Sequence, residues 1–156
     1  MYKKILAPLD GSPFSESSLE HVKAIARGCS VPEVILLRVV EPIQATDMAT
    51  FAQTGIDIIP YMNEIEAAAK SYVEKIAADL RKEGFQVKGL STVGRAADTI
   101  LSYIDENGVD LVIMSTHGRS GISRWFMGSV ADKVVRNSKA PVLLISPPGA
   151  RVSPPS

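Results

Sequence analysis

Cysteine is nearly absent from the chain, and so are the long apolar runs that a membrane-spanning protein needs. The single cysteine, Cys29, excludes an internal disulfide and any metal site built from several cysteines. It falls on the apolar face of a predicted helix, so we expect a small buried core residue. No apolar run approaches the roughly 20 residues that span a bilayer, so we expect no contact with a membrane.

The chain also lacks an excess of charge of either sign. Lysine plus arginine and aspartate plus glutamate both total 17, so no overall field attracts DNA, RNA or an anionic lipid surface. Any anion site must therefore be local, and no nucleic-acid partner is expected. At the amino end, two lysines lead directly into an apolar run and no small-residue cleavage site follows. We expect a cytoplasmic protein.

What the chain does contain is typical of one soluble globular domain. It has 156 residues, of which 46% are hydrophobic and 22% are charged. Residues 1–147 are predicted to form a single domain. Residues 148–156 are rich in proline and serine and are predicted to form a flexible tail.

Short runs rich in valine, isoleucine and leucine predict five strands. Four of these runs are apolar throughout, as in strands buried on both faces of a parallel sheet, and the third along the chain is a weaker, alternating run. In chain order, the predicted strands are 4–9, 33–40, 85–93, 110–115 and 141–146.

Apolar residues at helical spacing predict helices between these strands. The first runs from Pro13 to Cys29, with Ser12 as its N-cap. The other predicted helices are 60–83, closed by Gly84, then 96–107, closed by Gly108, and one from about 128 that ends before Pro141. Strands alternating with helices predict right-handed βαβ units. Residues 41–60 have no sustained period, which predicts either a flap or a partly disordered excursion.

Two strand ends carry residues suited to binding a ligand. Ligands of open parallel sheets collect outside the carboxyl ends of the strands, where the chain order reverses. The first strand ends in "PLDGS" and the fourth is followed by a loop with glycines and then by Gly128-Ser129 at a helix start. Such a helix N-terminus favours an anion. Neither the P-loop nor the dinucleotide glycine signature is present, so the residues alone predict a phosphate-type anion at the end of the fourth strand.

The stretch "STHGRSGISRWFMGS" (115–129) resembles the nucleotide loop of the universal stress protein family, in its ATP-binding branch. That loop has glycine, two residues, glycine, nine residues, and then glycine followed by serine or threonine. Gly118 and Gly128-Ser129 match it, and Ser115 stands at the first glycine position. The segments "KKILAPLDGSPFSESSLEHV", "VILLRVVEP", "VGRAAD" and "KAPVLLI" also resemble the family, so the similarity covers almost the whole chain.

The resemblance implies a fold and a ligand. The fold is an α/β three-layer αβα sandwich of the adenine nucleotide alpha hydrolase-like type, with a five-stranded parallel sheet in the order 3-2-1-4-5. The ligand is ATP, with Mg²⁺ carried on the phosphates and no metal ligand from protein side chains. The adenosine side would be formed by Pro8, Asp10 and the backbone of Val39. The ribose and phosphates would be held by Ser115, His117, Gly118, Arg119, Ser120, Gly121, Gly128, Ser129 and Val130.

Several of these residues have a purely structural alternative. Asp10 precedes a glycine and could simply organise the turn into the first helix, although its place at a strand tip favours the ligand role. His117 could be a partly buried histidine bonded to the backbone. Arg119 and Arg124 could be solvated loop charges, and Arg119, next to Gly118, is the better candidate for an anion contact.

The sequence leaves four functions open. The first is an ATP-binding regulatory or stress-sensing protein with little or no catalytic turnover. The second is a slow ATPase or an adenylyl-transferring enzyme, but efficient hydrolysis needs a positioned base and usually a fixed Mg²⁺, and no carboxylate beyond Asp10 converges on the loop. The third is a nucleotide-free dimeric interaction module, which the glycines of the loop argue against. A flavin electron-transfer protein is a weaker fourth.

The last predicted strand bears on the partners of the chain. An apolar sheet edge is prone to pair with another chain unless it is covered. The resemblance implies a homodimer that pairs through this strand, and the two prolines after Ser146 would stop further pairing.

Overall fold

A computed structural model describes residues 1–117 and 127–146 of the chain. Its strands are β1 (Lys4–Leu9), β2 (Glu33–Val40), β3 (Val87–Val93), β4 (Leu111–Ser115) and β5 (Val142–Ile145). Its helices are α1 (Pro13–Glu16), α2 (Leu19–Gly28), α3 (Ala45–Thr54), α4 (Ile58–Lys82), α5 (Ala96–Asn107) and α6 (Ser129–Asn137). In these two ranges, no helix combines the length and the apolar character needed to cross a membrane. The predicted tail, 148–156, lies outside the described residues and stays a prediction.

The five strands form one parallel sheet in the order β3-β2-β1-β4-β5. Helices cover both faces because the strands are apolar on both sides. On one face, Val22 of α2 and Ala77 of α4 belong to the same buried cluster. On the other face, Ile100 of α5 and Val134 of α6 do so. The predicted three-layer αβα sandwich and its strand order are confirmed.

The first predicted helix is interrupted. The structure divides 13–29 into α1 and α2 at Ser17 and Ser18. The Ser17 hydroxyl donates to the carbonyl of Phe14 (2.6 Å) and the Ser18 hydroxyl to that of Ser15 (2.8 Å). These hydroxyls donate to carbonyls of the preceding turn, so they compete with the backbone N–H groups that bond to those carbonyls in a continuous helix. The helix is interrupted at this point. The apolar spacing predicted one continuous helix and gave no sign of this break.

The expectation that Cys29 is a buried core residue is wrong. Cys29 is exposed. It is the C-cap of α2, with φ −102° and ψ 3°. Its N–H still donates to the carbonyl of Ile25 (2.9 Å), but at this last position of the helix the side chain lies at the surface.

The segment 41–60 contains regular structure that the sequence analysis did not predict. It holds α3 and the first turn of α4. Helix α3 buries no residue, so it lacks the apolar stripe by which a packed helix is recognised in a sequence. Two local signals do mark its boundaries. Gly55 ends α3 with φ 67°, and the carboxylate of Asp57 caps α4 by accepting the Ile59 N–H (3.1 Å).

Candidate functional site

A cleft of about 470 Å³ opens at the carboxyl ends of the strands. Its lining comes from the ends of β1, β2 and β4 and from the starts of α5 and α6, with one residue each from α1 (Ser15) and α4 (Ile65). Eight residues predicted to bind the nucleotide line it together: Pro8, Asp10, Val39, Ser115, His117, Gly128, Ser129 and Val130. The fold therefore brings together residues that are far apart in the chain, and their roles in binding stay predictions. The other four predicted residues, Gly118, Arg119, Ser120 and Gly121, lie outside the described residues.

A second cavity, of about 740 Å³, lies at the opposite end of the strands, where they begin. Most of its cationic side chains already have partners. Lys4 and Lys88 pair with Glu33 at 3.2 and 2.6 Å, and Arg81 pairs with Glu74 at 2.6 Å. Ligands of parallel α/β sheets bind at the carboxyl ends of the strands, where helix N-termini also meet. The smaller cleft is therefore the candidate site.

Pro8 explains why β1 and β4 separate at this cleft. Residues two apart on a strand turn their N–H and C=O groups toward the same neighbour. The Lys4 carbonyl accepts the N–H of Asp110 (3.1 Å), so Leu6 and Pro8 also face β4. Pairing with β4 continues through Leu6, but proline has no N–H with which to extend it. Since β1 stays paired with β2 to its last residue, the opening lies on the β4 side.

Asp10 follows β1 and organises the turn into α1. Its Oδ1 accepts hydrogen bonds from the N–H (2.9 Å) and the hydroxyl (2.6 Å) of Ser12. The Ser12 hydroxyl oxygen then caps α1 by accepting the N–H of Ser15 (3.2 Å). Between them, Gly11 has φ 85°, a conformation that favours glycine. The structural role considered for Asp10 is thus present, and the same residue also lines the cleft.

The end of β4 forms the opposite wall. The buried Ser115 hydroxyl accepts the N–H of His117 (3.3 Å), so it can still donate its own proton to a ligand. The Thr116 hydroxyl lies 2.8 Å from Nδ1 of His117, a hydrogen bond that orients the ring. The Thr116 carbonyl accepts the N–H of Gly128 (2.8 Å), which ties the start of α6 to the end of β4.

The N-terminus of α6 supplies backbone donors and partial positive charge. Gly128 is its N-cap, with φ −59° and ψ 150°, and no side-chain cap is seen in the described part of the chain. The first N–H groups of a helix have no acceptor within the helix, and this end of the dipole favours anions. The Gly128 N–H is already bonded, and the helical bonds begin with the Asp132 N–H, so Ser129, Val130 and Ala131 carry the donors that this terminus offers.

Two charged residues at the end of β2 were missed by the sequence analysis. The Arg38 guanidinium donates to the carbonyl of Val39 (3.1 Å), and both residues line the cleft. The Glu41 carboxylate, also in the lining, accepts the N–H of Ala96 at the start of α5 (3.2 Å). An arginine within an otherwise apolar strand was the available signal for Arg38. Glu41 gave none, because its partner is 55 residues away.

A partly buried polar contact lies behind the Asp10 turn. The Tyr72 hydroxyl of α4 donates to Oε1 of Glu16 in α1 (2.8 Å). Burial, together with the adjacent Glu16 carboxylate, raises the pKa of Tyr72 well above its usual value. This contact joins α4 to the short helix whose start is set by Asp10.

Known proteins are similar to this chain over most of its length. The model of the universal stress protein family matches residues 1–146. Universal stress protein MJ0577 of Methanocaldococcus jannaschii is 34% identical over 155 residues, which cover 93% of this chain and 95% of that protein. The solved structure of MJ0577 superposes with a TM-score of 0.80 at 33% identity, covering 96% of this chain and 99% of the other.

Two more distant structures contain an adenine nucleotide. A universal stress protein in complex with cAMP has a TM-score of 0.60 at 22% identity, with 93% of this chain and 97% of that one covered. A family member from Arabidopsis thaliana with AMP bound has a TM-score of 0.63 at 17% identity, with 95% and 97% covered. At these identities the likeness is one of fold.

Proposed function

Because the chain belongs to the universal stress protein family, we propose that it binds an adenine nucleotide, ATP in particular, in the cleft at the ends of β1 and β4. The observation that carries the proposal is the convergence of eight predicted residues on one cleft. Its volume, about 470 Å³, falls within the roughly 300–1,000 Å³ of small-molecule sites. The cAMP and AMP held by two structural neighbours support an adenine nucleotide as the class of ligand.

The chemistry of the walls supports one orientation of the nucleotide. The phosphates would lie at the N-terminus of α6, where the N–H groups of Ser129 and Val130 favour negative charge. The ribose hydroxyls would donate to the Asp10 carboxylate, and the adenine would lie beside the backbone of Val39. The loop residues Gly118–Gly121 would complete the phosphate contacts.

We further propose a regulatory or stress-sensing role with little or no turnover, in the cytoplasm. Two carboxylates line the cleft, and both accept backbone N–H groups: Asp10 from Ser12 and Glu41 from Ala96. These bonds suit a structural or binding role better than that of a base that activates water. In the described residues, no group of three potential ligand side chains is placed to hold a metal ion, so Mg²⁺ would arrive on the triphosphate.

Calorimetric titration of the nucleotide-stripped protein with ATP, with and without Mg²⁺, tests the proposal. We expect saturable binding near one ATP per chain. Absence of heat, with no competition from AMP or cAMP, would favour the nucleotide-free interaction module instead. Phosphate release that scales with protein and is lost with binding would favour the slow ATPase.

The substitution Gly128→Val tests the position of the phosphates. At φ −59° a valine can adopt the backbone of Gly128, so the fold should persist while the added side chain obstructs the cleft. We expect ATP affinity to fall at least about tenfold, which is a loss of about 1.4 kcal/mol. The matched control is Gly28→Val, because Gly28 is exposed and a Cβ there meets no atom within 4 Å. Equal affinity in the folded Gly128 variant would contradict this placement.

A further inference from the structure

Helix α3 and the first turns of α4 form a projection that the core does not cover. Residues 45–66, which we call the acidic hairpin, include no buried side chain. The first buried residue of α4 is Ala69, in its fourth turn. The rings of Phe51 and Tyr61 lie 5.2 Å apart and connect the two helices of the acidic hairpin.

Large apolar side chains are exposed on the acidic hairpin. Met48 is 48% exposed, Ile56 55%, Ile59 66% and Tyr61 43%. Of the nine large apolar residues that are exposed in the described part of the chain, these four fall within 14 consecutive positions. Isolated exposed apolar residues are ordinary, whereas a cluster of them marks a surface for interaction.

The charges of the acidic hairpin and its flanks have one sign. No lysine or arginine occurs between Arg38 and Lys70. Five carboxylates do occur there, all exposed: Glu41, Asp47, Asp57, Glu64 and Glu66. Within the described residues none of the five pairs with a cation, whereas eight of the other twelve acidic residues do. Ion pairs therefore neutralise many carboxylates elsewhere on the described surface, but none of those on this projection.

Binding of a partner would also stabilise α3, which has little packing of its own. The helix has ten residues and no buried position. Isolated helices shorter than about 12–15 residues are marginal in water, and most helical stability in proteins comes from packing an apolar face. Covering Met48, on α3, together with the neighbouring Ile56 and Ile59 would provide such packing.

We propose that the acidic hairpin is a docking surface for a cationic amphipathic helix of another protein. The apolar face of that helix would cover Met48, Ile56 and Ile59. Its lysines or arginines would face Asp47, Glu64 and Glu66, which would favour association and select the partner by charge. Charge complementarity disfavours the other occupants, since an anionic lipid surface or the same hairpin of a second copy would bring like charges together.

A synthetic peptide of known sequence serves as the probe. It is an amphipathic helix of about 18 residues with leucine at i, i+3, i+4 and i+7 and lysine on the other face. We expect saturable binding by fluorescence anisotropy that weakens as salt is added. A peptide with the same leucines and glutamate in place of lysine should not bind.

Substitutions on the acidic hairpin localise the binding. Ile56→Ser with Ile59→Ser should weaken binding of the lysine peptide about tenfold, and so should Glu64→Lys with Glu66→Lys. The controls are Val135→Ser and Glu106→Lys, which change an exposed valine and an exposed glutamate elsewhere and should leave binding unchanged. Circular dichroism confirms that every variant keeps its helical signal.

Three results would overturn the proposal. One is equal binding by the acidic-hairpin variants and the controls. Another is a loss of ATP affinity in the double variant of Ile56 and Ile59, because these two side chains would then serve the nucleotide cleft of the same chain rather than a partner. The third is a fall in solution mass in that double variant, which would assign the surface to a second copy. The peptide assay uses nucleotide-free protein, so its outcome is independent of whether ATP binds.

Discussion

At the scale of single residues, Asp10 combines two tasks. Its Oδ1 holds the turn through the Ser12 N–H and hydroxyl, and the residue lines the cleft where the ribose is proposed to bind. A carboxylate has about four acceptor positions, so one group can serve the turn and a ligand together. The two tasks can therefore be separated by substitution.

Asp10→Asn should separate them. The amide oxygen can still accept the Ser12 N–H, so we expect the free energy of unfolding to change by less than about 1 kcal/mol. Loss of the charged acceptor should lower ATP affinity about tenfold, because charge-assisted hydrogen bonds are roughly twice as strong as neutral ones.

Ser12→Ala is the complementary control. It removes the cap of α1 and should cost about 1 kcal/mol of stability while ATP affinity stays close to that of the wild type. Chemical denaturation and calorimetry measure the two quantities. If Asp10→Asn bound ATP as tightly as the wild type, Asp10 would be a turn residue alone.

At the scale of elements, α4 is divided between two environments. Its second half packs on the sheet through Ala69, Val73, Ala77 and Leu80, and its first turns belong to the acidic hairpin. Tyr72 lies at the junction and bonds to Glu16 of α1. The contact links the helix that carries the acidic hairpin to the helix that begins at the cleft.

Tyr72→Phe should weaken this link. Loss of the hydrogen bond to Glu16 should cost about 1 kcal/mol of stability near neutral pH, measured by chemical denaturation. Tyr61→Phe, at an exposed tyrosine, is the control.

The pH dependence gives a second measure of the same contact. The folded-state pKa of Tyr72 is raised, so retention of its proton stabilises the fold fully below the ordinary tyrosine value of about 10. That contribution is lost as the pH rises above this value toward the raised pKa. The wild type should therefore lose stability faster than Tyr72→Phe above about pH 10. Parallel alkaline profiles would contradict the assignment.

At the scale of the whole molecule, the sheet ends at β5 on one side. The carbonyls of Pro141 and Ile145 accept N–H groups of the β4 side, so Val142 and Leu144, between them, turn their backbone groups outward. A partly exposed apolar edge of this kind favours pairing with another strand. We therefore propose the homodimer that the family resemblance implied.

Leu144→Pro tests the dimer. Proline removes an outward N–H without removing a bond to β4, so we expect the dimer of the wild type to become a monomer. Leu144→Ala keeps the N–H and should stay dimeric, which controls for loss of the side chain. Light scattering measures both, and a wild-type mass near the 16.7 kDa of one chain would refute the dimer.

The positions of most strands and helices followed from patterns that are local in the sequence, whereas the strand order and the residues of the cleft were implied by the family resemblance. Apolar runs predicted the positions of the strands, since a strand buried on both faces cannot carry many polar residues. Helices α4, α5 and α6 were predicted because each has an apolar stripe. Apolar spacing did not predict α3, which has no stripe. It also did not predict the break at Ser17 and Ser18, where side-chain hydroxyls bond to backbone carbonyls.

Only the tertiary structure decided the contacts between residues that are far apart in the sequence, because no local sequence pattern marks them. Gly89 looks like a weak point of β3, but a Cβ there would lie 2.9 Å from the carbonyl oxygen of Val73, so the glycine permits the close approach of α4. The bond from Ala96 to Glu41 and the place of Arg38 in the cleft are of the same kind. The sequence by itself determined the strands and the helices that carry an apolar stripe, together with the glycines that end α4 and α5, because those preferences act over a few positions. The tertiary structure decided which side chains meet and which carboxylates find no cation, because these depend on how the chain returns upon itself.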